Sequence, residues 1–238
     1  MAEFVLIHGG MHGGWCWERL EPELARLGHT SVATTHKCDV AGLGNGDYAR
    51  EVADQVGHLS DDVIVVGHSI GGLVAPLLPA LRPVRGLVLL CAAVPAVGLG
   101  FAEQADTAPA SAVDPERLIA DEAGFIRYTA EAAPEVFCHD VDQATVDAIL
   151  PRLRPQALSA MVEKTPMERW PDVPTHSIYC RDDRAMSPVY SRIVAQHRGF
   201  PLTEMEGSHS PFYSRPRDLA RELDHIATEV LATAGGKS

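Results

Sequence analysis

The sequence has no Cys-x-x-Cys pair, no excess of basic charge, and no apolar run near the ~20 residues that span a bilayer. Each absence excludes something. The five cysteines (Cys16, Cys38, Cys91, Cys138 and Cys180) are odd in number and scattered, which argues against a disulfide framework and for reduced thiols. A formal net charge of −12 argues against a nucleic-acid or anionic-membrane face, because both need a basic surface. Met1-Ala2-Glu3 runs straight into Phe4-Val5-Leu6-Ile7 with no basic segment or long apolar stretch. No secretory signal is visible, and a cytoplasmic location is expected. Internal repeats and low-complexity blocks are also missing.

What is present is ordinary globular composition, 46% hydrophobic and 22% charged over 238 residues, enough for one large α/β core. Residues 4–7, 30–33, 63–66, 86–90, 176–180 and 202–205 read as buried strands, several of them nearly continuous apolar runs. Helical patterns lie between and after them at 16–27, 48–59, 70–81, 188–197 and 219–231. This alternation predicts an α/β fold with a doubly wound, mostly parallel sheet. It breaks once. From about residue 95 to 174 there is no convincing strand, and helices are expected at 115–131, 142–150 and 156–164. An insertion of this length predicts a helical cap (95–170) over a core formed by 1–94 and 171–238, placed where open α/β sheets bind ligands.

The most informative stretch is Gly67-His68-Ser69-Ile70-Gly71, which fits G-x-S-x-G directly after the apolar Val63-Ile64-Val65-Val66. The five residues alone would be weak. A strand leading in, Gly72, and the apolar Leu73-Val74-Ala75-Pro76-Leu77-Leu78 leading out make them a strand–turn–helix elbow that lifts a serine hydroxyl above the sheet edge. Ser69 is therefore the expected nucleophile.

A serine hydroxyl needs an adjacent base, itself oriented by a carboxylate. Most of the eleven histidines sit in turns or near helix ends, but His209 lies in the loop Glu206-Gly207-Ser208-His209-Ser210-Pro211-Phe212, after the last strand and before the last helix. That loop opens at the same sheet edge as the elbow, and His209 is expected as the general base. The acid should lie between them in the chain, in Arg181-Asp182-Asp183-Arg184, which offers two adjacent aspartates. The Ile70 amide is expected to donate to an oxyanion, together with a donor from the turn His8-Gly9-Gly10-Met11-His12-Gly13-Gly14-Trp15. That turn lacks G-x-G-x-x-G spacing and a Walker lysine, so nucleotide binding is not expected. His8 and His12 have no convergent carboxylate, so no metal is expected either.

These motifs resemble an α/β-hydrolase over essentially the full chain. The segment from Phe4 to Trp17, the run Tyr179-Cys180-Arg181-Asp182-Asp183-Arg184-Ala185-Met186-Ser187-Pro188 and Gly207-Ser208-His209 resemble the branch containing plant methylesterases, hydroxynitrile lyases and bacterial esterase relatives. The resemblance implies Asp183 as the catalytic acid, with Asp182 its neighbour, and the Gly10 amide as the second oxyanion donor. The lyases of that branch carry a threonine and a lysine where this chain has Gly9 and Ser210, which favours ester hydrolysis over cyanohydrin cleavage. Ser69 at the nucleophile position argues against dehalogenases and epoxide hydrolases.

The expected activity is hydrolysis of a small to medium hydrophobic carboxylic ester or lactone through an acyl-enzyme. The same triad could instead run acyl transfer, thioester cleavage or carbon–carbon bond cleavage, and a non-catalytic ligand-binding descendant of the fold is the remaining rival. Expected pocket walls are Met11, Phe101, Phe125, Tyr128, Met161 and Trp170. No cofactor is expected. The expected partner is a small-molecule substrate rather than nucleic acid or membrane, and a homodimer is left open.

Overall fold

In the computed structural model, which describes residues 1–104 and 115–232, successive side chains of the central strands point into opposite layers. The strands are β1 (Glu3–Ile7), β2 (Thr30–Thr34), β3 (Val63–His68), β4 (Gly86–Leu90), β5 (Leu118–Ala120), β6 (Phe125–Tyr128), β7 (Gln156–Ala157), β8 (Thr175–Cys180) and β9 (Leu202–Met205). Six of them form one sheet in the order β2-β1-β3-β4-β8-β9, with every pairing parallel. Phe4, Leu6, Ile64, Val66, Val88 and Leu90 pack into one layer with the last helix, Pro216–Ala232. Val5, Ile7, Val63, Val65 and Leu87 pack into the other, against the helix Asn45–Gln55 and the residues after the elbow. The near-continuous apolar runs of β1, β3 and β4 follow from this burial on both faces.

The helices obey local rules with some shifts from expectation. Pro188–Arg198 begins on proline and stops at Gly199, whose φ of 67° is left-handed. In Pro216–Ala232, Leu219, Ala220, Leu223, Ile226, Ala227 and Val230 form the buried stripe. The segment expected as helix 16–27 is instead a 3-10 turn, Gly14–Trp17, and a short helix, Glu21–Arg26, with Pro22 in its first turn. After the elbow, Gly71–Val74 passes into a 3-10 stretch, Ala75–Ala80, because Pro76 and Pro79 cannot donate to an α-helical ladder.

The insertion between β4 and β8 carries helices at Ala132–Phe137 and Gln143–Ile149, the latter capped by Asp142 accepting the Thr145 N–H at 2.8 Å. The helices expected over 115–131 and 156–164 do not form as such. Strands β5 and β6 make an antiparallel hairpin, β7 joins it through Phe125–Ala157 and Ile126–Gln156 pairs, and only Ser159–Val162 is helical beyond it. The reason is local. Asp121 accepts the Ala123 and Phe125 amides, Gly124 takes a φ of 83°, and the β-branched and aromatic residues on either side suit paired strands. Among the described residues no helix is long and apolar enough to cross a membrane.

Candidate active site

Ser69 sits at a tight bend directly after β3, with a left-handed φ of 51°. Such backbone costs ~1–3 kcal/mol for a residue other than glycine and persists only where its surroundings fix it. Here the Ser69 N–H donates to Leu90 O at 3.1 Å, while Ser69 O accepts from the amides of Gly72 and Ala93, both at 2.9 Å. Elbow and strand approach so closely that a Cβ at Gly71 would stand 2.7 Å from the His8 carbonyl oxygen and 2.8 Å from that of Ile7. Only glycine fits there.

His209 is fully buried, and its Nδ1 lies 2.8 Å from Asp183 Oδ2. The other oxygen of Asp183 accepts the Ala185 and Met186 amides, both at 2.8 Å, so the carboxylate is aimed by the turn that follows it. Asp182 is exposed and engages through its backbone alone, donating to Gly207 O and accepting from His139 Nε2. Its side chain faces solvent, and Arg181 beside it turns to Glu204 and Glu206. Burial pushes the nearby Cys91 thiol well up, with Cys180 and Asp183 adding to the shift, so it stays protonated beside Asp183.

Two contacts invisible in the sequence fix this arrangement. His68, which reads as the variable residue of the elbow, places Nε2 2.9 Å from the His209 carbonyl and so ties the Ser69 turn to the His209 loop. Asp140, from the insertion, accepts the Ser208 amide at 3.0 Å. Neither has a linear signal, because each partner is remote in the chain. His209 Nε2 is buried, and among the described residues it has no hydrogen-bond partner. The amides of Gly10 and Ile70 are likewise uncommitted among the described residues, and both residues line the same cavity as Ser69.

Four histidines pack around the first turn and the elbow, and all are fully buried. Burial holds His12 down at about 4 and His36 at about 3, while His8 and His68 lie well below the ordinary value. These histidines are neutral in the folded protein at pH 6.5, whereas the unfolded chain takes up protons below that pH. Stability is therefore fully present above pH ~6.5 and falls as pH drops toward the folded values, by up to ~1.4 kcal/mol per unit per histidine. Urea midpoints should decline from pH 7 to pH 5, before carboxylates titrate, and His36→Leu should flatten the slope. A level profile over that interval would contradict this account.

The cavity beside Ser69 has a volume of about 310 Å³ and is walled by Met11, Phe101, Tyr128 and Met161 together with Ile126, Phe137, Leu158 and Met186. Burial, with Asp183 a secondary cause, pushes the Tyr128 hydroxyl up to about 12. Two expected wall residues are not there. Phe125 is next to Ile126 on β6, and alternation turns it to the face opposite Ile126 and Tyr128. Trp170 packs on Phe200 with ring centroids 5.1 Å apart, lies under Arg198 and donates to Thr175 Oγ1 at 3.2 Å. A larger, more open groove of about 630 Å³ between Gly46–Arg50, Pro76–Leu81 and Pro166–Val173 contains no Ser69, His209 or Asp183.

Comparison with known proteins gives concordant results. A family model described as the alpha/beta hydrolase family matches residues 4–222. A putative chloroplastic methylesterase 14 of Arabidopsis thaliana is 26% identical, over 95% of this chain and 72% of its own length. A carbendazim hydrolyzing esterase of Nocardioides sp. (strain SG-4G) is 38% identical over a shorter stretch, 41% of this chain and 45% of that protein. A crystal structure of a pyrethroid hydrolase from Sphingobium faniae JZ-2 superposes with a TM-score of 0.79 at 23% identity, covering 95% of this chain and 97% of the other. At that identity the likeness speaks for the fold.

Proposed function

The chain belongs to the alpha/beta hydrolase family, and from that membership we propose that it hydrolyses carboxylic esters with Ser69 as nucleophile. The observation that carries the reading is the buried His209–Asp183 pair at 2.8 Å, joined to the Ser69 elbow through His68. Ser69 Oγ attacks the ester carbonyl while His209 Nε2 takes its proton. Asp183 holds the Nδ1–H tautomer and stabilises the imidazolium. The amides of Gly10 and Ile70 hydrogen-bond to the oxyanion that develops. The alkoxide leaves with the proton from His209, and water repeats the sequence on the acyl-enzyme. Relatives named as esterases and a methylesterase support ester as the substrate class.

The cavity's apolar lining and modest volume suit a small to medium hydrophobic ester or lactone. On a p-nitrophenyl ester panel, kcat/KM should peak at uncharged acyl groups of medium length or with one aromatic ring. A succinate half-ester should be at least about tenfold poorer, because its carboxylate would be buried without a partner. A preference for the charged acyl group would count against this pocket. Cyanohydrin cleavage on the same triad is disfavoured, since no side chain can stand at position 9: a Cβ there would lie 2.8 Å from both Ser69 Cβ and His68 Nδ1.

A further inference from the structure

Every carbonyl of the first turn from Gly9 to His12 is engaged away from the cavity. His8 Nδ1–H donates to Gly9 O at 2.7 Å, and His12 Nδ1–H donates to Gly10 O at 2.8 Å. The remaining two are held by one residue from the insertion. The Arg154 backbone N–H donates to Met11 O at 2.8 Å, and its guanidinium donates to His12 O from Nε at 3.1 Å and from Nη2 at 2.5 Å. The same guanidinium reaches His36 O at 3.1 Å and Asp39 Oδ1 at 3.0 Å, so it staples the first turn to the loop after β2.

In a planar trans peptide the C=O and the following N–H point in opposite directions. Gly9 O therefore sets where the Gly10 amide aims, and that amide is left uncommitted among the described residues. The His8 ring that holds Gly9 O has its Nε2 3.4 Å from Arg154 Nη2, while the Arg154 bonds to Met11 O and His12 O fix the two peptides that follow those residues. The turn does not hold this shape by its own preference, because Met11 adopts a φ of 65°. The bonds to Met11 O and His12 O, which hold the two peptides directly after the strained φ, come from Arg154.

We propose that Arg154 is a positioning residue that locks the first turn so that the Gly10 amide meets the oxyanion. The inference rests on the ester-hydrolysis reading above, and it places control of the oxyanion site in the insertion rather than in the sheet. Arg154 touches neither the nucleophile nor the base, so its loss should weaken transition-state stabilisation and leave ground-state binding nearly intact.

The test uses Arg154→Met and Arg154→Lys in the full chain. With a p-nitrophenyl ester, Arg154→Met should lower kcat on the order of 10- to 100-fold, somewhat less than deleting an oxyanion donor outright, with KM changed less than about threefold. Affinity for an aryl trifluoromethyl ketone, whose hemiketal oxygen occupies the oxyanion position, should fall by the same factor. Added guanidinium at millimolar concentration should restore part of both. Arg154→Lys, which keeps the charge and loses the fork, should fall between and decides the matter if the methionine variant does not fold. Amide hydrogen exchange in residues 8–13 should also speed up in the variants. Unchanged kcat, a change confined to KM, or lost stability with full ketone affinity would overturn the proposal. Should the wild type cleave no ester and bind no ketone, the ester reading falls, and exchange at 8–13 still decides Arg154: unchanged rates sink it.

Discussion

Ser69→Ala should lower kcat/KM on p-nitrophenyl esters by roughly 10⁵-fold, close to the loss seen when a serine nucleophile is removed from comparable triads. The turnover that remains would come from the Gly10 and Ile70 amides and from the cavity. Structure should survive the change. The bonds that hold the elbow belong to the Ser69 backbone, to Leu90, Gly72 and Ala93, and the hydroxyl takes part in none of them. Alanine tolerates the left-handed φ of 51° about as well as serine. Circular dichroism and thermal midpoint should match the wild type, and a fluorophosphonate should label the wild type at Ser69 and leave the variant unmodified. Near-normal turnover in the variant, or label on another residue, would discard the mechanism.

Asp183→Asn should cost on the order of 10⁴ in kcat at neutral pH, whereas Asp182→Asn should cost less than about threefold. The two residues are adjacent in the chain and opposite in environment. Asp183 is 6% exposed, with one oxygen on His209 Nδ1 and the other on the Ala185 and Met186 amides. An asparagine there can keep the bonds to those amides only by turning its NH2 toward Nδ1. That forces the proton onto Nε2, the tautomer that cannot accept the serine proton. Asp182 is exposed and contributes only backbone bonds, which the amide variant preserves. Equal losses in two folded variants, or reversed ones, would move the acid role to Asp182.

Part of the site was legible because its signals are local. A strand, a glycine-flanked serine and an apolar segment must form a tight bend wherever they occur in this order, and they do so at Ser69. The loop position of His209 and the aspartate pair after β8 were likewise readable, because parallel strands deliver their carboxyl-terminal loops to one edge. The choice between Asp182 and Asp183 came from family resemblance, and the contacts that separate them are tertiary. The aromatic wall was harder. Phe125 and Trp170 are apolar residues in an insertion whose strand β6 was not foreseen, and one step along a strand reverses the face a side chain presents. The hairpin itself was missed because alanine- and glutamate-rich sequence favours helix in isolation, while its Asp121–Gly124 turn and pairing with β7 favour strands.

The sequence by itself determined the parallel sheet, the elbow and the chain order of serine, aspartate and histidine, since burial on both faces and a forced turn depend on residues within a few positions of one another. Tertiary structure alone decided which aspartate faces His209, that His68 ties the elbow to the histidine loop, and that Arg154 seats the first turn. Those are contacts across 26, 141 and 142 residues of chain, made by single polar atoms whose partners are selected by the packing of layers and carry no periodicity of their own.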